Sequence, residues 1–257
     1  MATSITPISR SLPSGTVFYT WVNIRCKNLP RVGQDSVQIN SQRLDTAMEA
    51  LFRYCIDHDV PVMAHTNHSN GPSEKFKDLA GSEYWAYALE KFPGLRVNFG
   101  HFGDTDLEDH GGEKTRRFLD LITATPGSPG INAFADSSYF AGVLLNQPRM
   151  VEVLRSLYAA SNNHVLRERF MYGTDWTMIL PQRNVDRYLS DFMDVMRRIE
   201  SEQPDVGARR TSLSNAFFGR NAAQFLGLEV GMQNRRRLED FYAGNKIPTP
   251  DWMQKIA

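Results

Sequence analysis

The chain has 257 residues, 41% hydrophobic and 23% charged, enough for one large domain or two small ones with a sizeable core. Lys plus Arg and Asp plus Glu both number 29, and this balance speaks against nucleic acid or an anionic membrane as partner. Two cysteines, Cys26 and Cys55, are too few for a disulfide scaffold, and no apolar run approaches the roughly 20 residues of a membrane-spanning helix, so a reducing, cytoplasmic setting is expected.

In chain order, residues 1–15 are rich in Ser, Thr and Pro and read as a disordered leader. Residues 16–25 (TVFYTWVNIR) are β-branched and aromatic, a strand pattern, and 26–40 read as a loop. Over 41–57 the residues Leu44, Met48, Leu51, Phe52 and Cys55 recur at helical spacing. Residues 60–65 (VPVMAH) form a short apolar run that ends on a histidine, the signature of a buried strand surfacing at its C-terminal end. A polar loop over 67–79 follows, then a helix over 82–92 closed by Pro93-Gly94. Residues 95–99 (LRVNF) are a strand entering Gly100-His101-Phe102-Gly103, and 104–112 an acidic loop. A helix over 114–123 turns Phe118, Leu121 and Ile122 inward, and a short strand over 131–134 runs into Asp136. A helix over 147–160 precedes the strand Phe170-Met171-Tyr172, which enters Gly173-Thr174-Asp175-Trp176. Asn184 reads as the N-cap of a helix over 185–202, and 212–226 as the last core helix or helix pair, stopped by Gly227. The polar tail, 229–257, is expected to pack across the surface or to serve an oligomer contact.

The recurring unit is strand, polar residue, loop, helix. The strand-end polar residues fall at 65, 101, 136 and 175, spaced by 36, 35 and 39 residues. A parallel βα unit takes roughly 30 residues or more, so the spacing places these groups on one face of an α/β barrel. A doubly wound sheet would more often bring a Gly-rich phosphate loop, and neither GxGxxG nor GxxxxGK[ST] occurs. Five strand–helix units are recognisable where a closed barrel needs eight. The expected fold is therefore a partial or distorted TIM (β/α)8 barrel over 16–228, with a C-terminal extension over 229–257. Its two open strand edges need cover, by a second copy or by the leader and tail.

His65, His101 and Asp175 are the residue types that hold a divalent ion such as zinc and activate water beside it. A lone strand-end histidine is more often structural; three such residues in matching positions shift the balance to chemistry. His68 is either a substrate contact or an exposed loop residue. His58 and His110 read as solvated, and His164 as a surface loop residue. Asp136 is either a site residue or the cap of the turn at Ser137-Ser138. Cys26 and Cys55 read as small core or interface residues. Trp21, Trp85 and Trp252 read as packing, and Trp176, next to Asp175, as a wall of the pocket. No GxSxG elbow supports a serine hydrolase.

Four motifs in this order resemble the amidohydrolase superfamily, in particular the aminocarboxymuconate-semialdehyde decarboxylase-like metal-dependent hydrolases. Ala64-His65-Thr66 resembles the fifth-strand histidine of that family, and Phe99-Gly100-His101-Phe102-Gly103 the sixth-strand histidine. Tyr172-Gly173-Thr174-Asp175-Trp176 resembles the eighth-strand aspartate motif, and 221–228 (NAAQFLGL) the helix that closes the domain. The resemblance implies a distorted TIM barrel, one divalent metal, usually zinc, and hydrolysis or non-oxidative decarboxylation of a small carboxylic acid, ester or lactone. It makes His65 and Asp175 metal ligands, and His101 and Asp175 the catalytic residues. Asn67, His68, Asn70 and Trp176 are the expected substrate contacts, and a homo-oligomer the expected assembly. The family's first-strand His-x-His pair has no counterpart, since no histidine precedes His58. The chain thus resembles strands four to eight of the barrel, without its N-terminal part. A non-catalytic homologue that acts as a binding or interaction protein is the alternative.

Overall fold

A computed structural model describes residues 41–67, 81–103, 112–123, 132–202 and 212–256. The chain divides into two units, Met1–Leu51 and Phe52–Ala257. Of the first, only the opening turns of helix α1 (Ser41–Asp57) are described. The strand expected over 16–25, the loop over 26–40, Cys26 and Trp21 lie outside the described residues.

The second unit is built on four parallel strands in sequential order: β1 (Val62–His65), β2 (Val97–Gly100), β3 (Ala133–Asp136) and β4 (Phe170–Met171). Each is reached from the last through a helical connection: α2 (Ser82–Lys91), α3 (Gly112–Ile122) and the pair α4 (Gly142–Leu145) and α5 (Gln147–Ala160). This is the mixed α/β, partial-barrel arrangement that the spacing predicts. Register pairs Ala64 with Phe99, Phe99 with Ala135 and Ala135 with Phe170, so one face of the sheet is a continuous apolar surface. Phe99 meets Trp85 of α2 at 5.5 Å and Phe118 of α3 at 4.8 Å between ring centroids. Phe52, at the inner end of α1, meets Trp85 and Phe92, and Cys55 is buried one turn later. β2 and β3 are buried on both faces, as strands inside a parallel sheet are. β1 instead alternates, with Met63 71% exposed.

After β4 come α6 (Trp176–Ile179) and α7 (Tyr188–Glu202), then a broken helix: α8 (Leu213–Asn215), a π-helical stretch (Ala216–Arg220) and α9 (Asn221–Leu226). Ser212 caps α8 by accepting from the Asn215 amide at 3.1 Å, and Gly227, at φ +69°, ends α9 in the left-handed conformation that favours glycine. Asn184 is not the side-chain cap expected: it sits at φ +61°, makes no capping bond, and its carbonyl accepts from Arg187 to start a 3-10 turn before α7. His164 lies on a 3-10 stretch, Asn162–Glu168, rather than in a loop.

The broken helix covers an edge of the sheet. Arg169 and Met171 turn their carbonyls to β3, so the Phe170 carbonyl and the Tyr172 amide face outward. Asn221 Nδ2 donates to the Phe170 carbonyl at 2.8 Å, and Tyr172 N donates to the Phe217 carbonyl at 2.9 Å. A helix thus serves the β4 edge where a neighbouring strand would in a closed barrel. On the sheet face opposite Phe99, Phe225 of α9 packs with Phe134 and Met171.

The tail forms α10 (Gln233–Gly244) and α11 (Asp251–Lys255). Buried Arg235 ties them together through Glu239 at 2.7 Å and the Met253 carbonyl at 2.7 Å. Asn234 Nδ2 donates to the carbonyls of Asp59 and Leu226, both at 2.8 Å, which seats α10 on the core. Among the described residues no helix is long and apolar enough to cross a membrane.

Candidate active site at the strand C-termini

The four strands end side by side, so their C-terminal residues form one row. His65 closes β1, His101 follows β2, Asp136 closes β3, and Asp175 lies four residues beyond Met171. The row is stitched by local bonds. Thr66, fully buried, donates its hydroxyl to the Gly100 carbonyl at 2.6 Å and accepts from Gly103 N at 2.9 Å, holding the His101 turn against β1. His101, Phe102 and Asp175 have φ of +67°, +47° and +46°. Non-glycine residues there cost of order 1–3 kcal/mol each and persist only when their surroundings hold them.

Asp136 supplies much of that hold. It is 4% exposed, and its Oδ1 accepts from His101 N at 3.1 Å and Ser138 N at 2.9 Å, while Oδ2 accepts from Asn98 Nδ2 at 2.6 Å. The turn it caps places the Ser138 carbonyl 2.9 Å from His101 Nδ1. A carbonyl only accepts, so Nδ1 carries the proton and neutral His101 keeps its lone pair on Nε2. That Nε2 lies 3.9 Å from Asp175 Oδ2. Two acceptors face each other across this gap, which a proton on Nε2, a donor molecule or a cation would fill.

The His65 ring meets the His101 ring edge-on, 4.7 Å between centroids. His65 is exposed at the end of β1, yet the desolvation its neighbours impose pushes its imidazole below its ordinary pKa; nearby His101 and Lys114 push the same way, and Asp175 opposes. A neutral ring is the form that ligates a metal. Thr177 donates its hydroxyl to Asp175 Oδ1 at 3.4 Å. Tyr188, buried, fixes the far side of the row: it accepts from Phe140 N at 3.1 Å and donates to the Ser137 carbonyl at 3.0 Å.

His65, His101 and Asp175 therefore come together, and Asp136, left open between two roles, is cap and neighbour at once. Trp176 stands 67% exposed at the start of α6 rather than enclosed. Asn67 is partly buried just beyond β1, while His68, Asn70 and His110 lie outside the described residues. His58 is exposed at the end of α1, beside Tyr54. Sequence reasoning passed over Asn98, whose signal is a polar residue inside a fully apolar strand, and Tyr188, which carried none. A groove of about 470 Å³ lies elsewhere, between Tyr172, Met193, Arg197 and Phe218, and holds none of the row.

The donors fit a divalent ion in kind: an imidazole held neutral, a second with its lone pair turned to a carboxylate, and that carboxylate. They fall short in number, since among the described residues no group of three or more His, Cys, Asp or Glu is arranged to hold a metal. The model of the family described as amidohydrolase matches residues 31–228, which include all four strands and the whole row. Comparisons with curated proteins and with solved structures gave no match.

Proposed function

The chain belongs to the amidohydrolase family, and from that premise we propose that it hydrolyses a small carboxylic acid derivative, an ester or a lactone. Non-oxidative decarboxylation of a small carboxylic acid is the variant chemistry of the same centre. The observation that carries this reading is the facing pair His101 Nε2 and Asp175 Oδ2, 3.9 Å apart at the end of a parallel sheet, with His65 alongside.

In this reading His101 Nε2 takes a proton from the attacking water as that water's oxygen bonds to the substrate carbonyl carbon. The imidazolium so formed is stabilised by Asp175 beside Nε2 and by the Ser138 carbonyl at Nδ1. It returns the proton to the leaving oxygen as the carbon–oxygen bond breaks. A divalent metal ion, zinc by the donor types, held by His65 and Asp175, would polarise the carbonyl and acidify the water. Asn67, His68, Asn70 and Trp176 are proposed as substrate contacts, and a homo-oligomer as the assembly. We place the chain with the aminocarboxymuconate-semialdehyde decarboxylase-like branch, its catalytic part over 16–228.

One observation favours a second reading, a non-catalytic binding homologue: the described residues supply fewer than three metal donors in one place. Elemental analysis of purified protein separates the two. The hydrolase reading expects about one zinc per chain, lost in His65→Ala and Asp175→Ala. A folded, metal-free chain that hydrolyses no aryl ester or lactone would leave the binding homologue.

A further inference from the structure

We propose that Asp136 is the positioning residue for His101, setting both the tautomer and the aim of its ring. The inference rests on the hydrolase reading only for its functional meaning; its geometry stands by itself. A carboxylate needed merely to cap the turn at Ser137-Ser138 would use one acceptor, for Ser138 N. Asp136 instead gathers three donors, one from β2, one from the turn after β2 and one from its own turn: Asn98 Nδ2, His101 N and Ser138 N.

Each bond has a consequence for His101. At φ +67° its amide points away from any strand partner and needs an acceptor, which Oδ1 provides. The same oxygen holds Ser138 N, and two atoms along that residue's backbone the Ser138 carbonyl receives Nδ1–H at 2.9 Å. One oxygen therefore fixes the main chain that carries the ring and the turn that dictates its proton. Asn98 Nδ2 anchors the other oxygen from the middle of β2, so the carboxylate cannot swing toward the site. The flanking glycines leave it room. A Cβ at Gly173 would lie 3.2 Å from Asp136 Cγ and 2.6 Å from Ser138 Oγ, and one at Gly100 would lie 3.8 Å from Asp136 Oδ2. With Nδ1 committed to Ser138, Nε2 is left as the acceptor that meets Asp175. The even spacing of the strand ends places Asp136 in the row; the junction of these bonds makes it more than a cap.

The test is the ring nitrogen spectrum of ¹⁵N-histidine-labelled full-length protein, with chelator present, well above the ordinary histidine pKa. His101 in the native protein is expected as the pure Nδ1–H tautomer, its Nε2 signal at the unprotonated position. In Asp136→Ala and Asp136→Ser that signal is expected to move toward the averaged position of a mixed-tautomer ring. The serine variant is informative because it still caps Ser138 N but loses the bond to His101 N. A native His101 that is not Nδ1–H overturns the proposal whether or not either variant folds. So does a folded variant whose His101 stays wholly Nδ1–H. Because metal and substrate are absent from the measurement, loss of the hydrolase reading leaves this result intact. Failure here leaves the zinc content expected of His65 and Asp175 unchanged.

Discussion

Glycine 173 shows at the scale of one residue how the row is kept in place. Its missing side chain lets the β4 strand end lie against the Asp136 turn, with Ser138 Oγ 2.6 Å from where a Cβ would stand. Ser138 Oγ can turn aside, but Asp136 Cγ and Ser138 N, each 3.2 Å from the same position, are bonded to one another at 2.9 Å through Oδ1 and have little room to give. Gly173→Ala is therefore expected to cost about 1–3 kcal/mol, the range for overpacking a filled interior. Gly219 is the control, since nothing lies within 4 Å of its Cβ position. Gly219→Ala should be neutral or stabilising by up to about 1 kcal/mol, because a helical alanine loses less entropy than glycine. Urea unfolding of the two variants measures the contrast; equal destabilisation would refute the steric account.

Among the elements, the broken helix after α7 decides how the sheet ends. Asn221 is buried, and its one amide donates to two carbonyls, Arg167 and Phe170, both at 2.8 Å. Removing it orphans both carbonyls and reopens the β4 edge. Asn221→Ala is expected to cost about 2–6 kcal/mol, from an unmade-bond penalty of about 1–3 kcal/mol for each of the two buried carbonyls. It should also raise aggregation on warming, read by light scattering, because an uncovered edge strand templates pairing. The sequence motif around Asn221 marked this helix as the one that closes the domain, but not how it closes. The helices over 41–57 and 147–160 were legible to the residue because their apolar periodicity is unbroken. The strand expected over 170–172 lost Tyr172, since its amide turns to a helix carbonyl that no local pattern announces. The polar strand ends at 65, 101, 136 and 175 were legible through their even spacing. Their bonding was not, because the Asp136 junction joins residues 35 and 38 apart in the chain, except at its own turn.

For the whole molecule, equal numbers of basic and acidic side chains and a pI near 7.0 remove net charge as a lever on stability close to neutral pH. Individual shifted groups decide the pH dependence instead, and the surroundings of His65 move its imidazole. Desolvation by its neighbours first, then His101 and Lys114, hold its folded-state pKa below the ordinary 6.5, against Asp175 and a bond to its own carbonyl. The unfolded chain then binds the proton more readily than the folded one, so stability falls as protons are added. The contribution of His65 is full above about pH 6.5, declines as the pH drops through that value, and levels off below the lowered folded pKa. His65→Asn removes this dependence. With chelator present, the urea midpoint of the native protein should lose ground relative to the variant between about pH 7.5 and about pH 5, the two curves converging or crossing. Parallel curves would mean that the His65 ring is as freely solvated in the fold as in the unfolded chain. A row of strand ends crowded enough to face two imidazoles and a carboxylate would then have to be redrawn at β1.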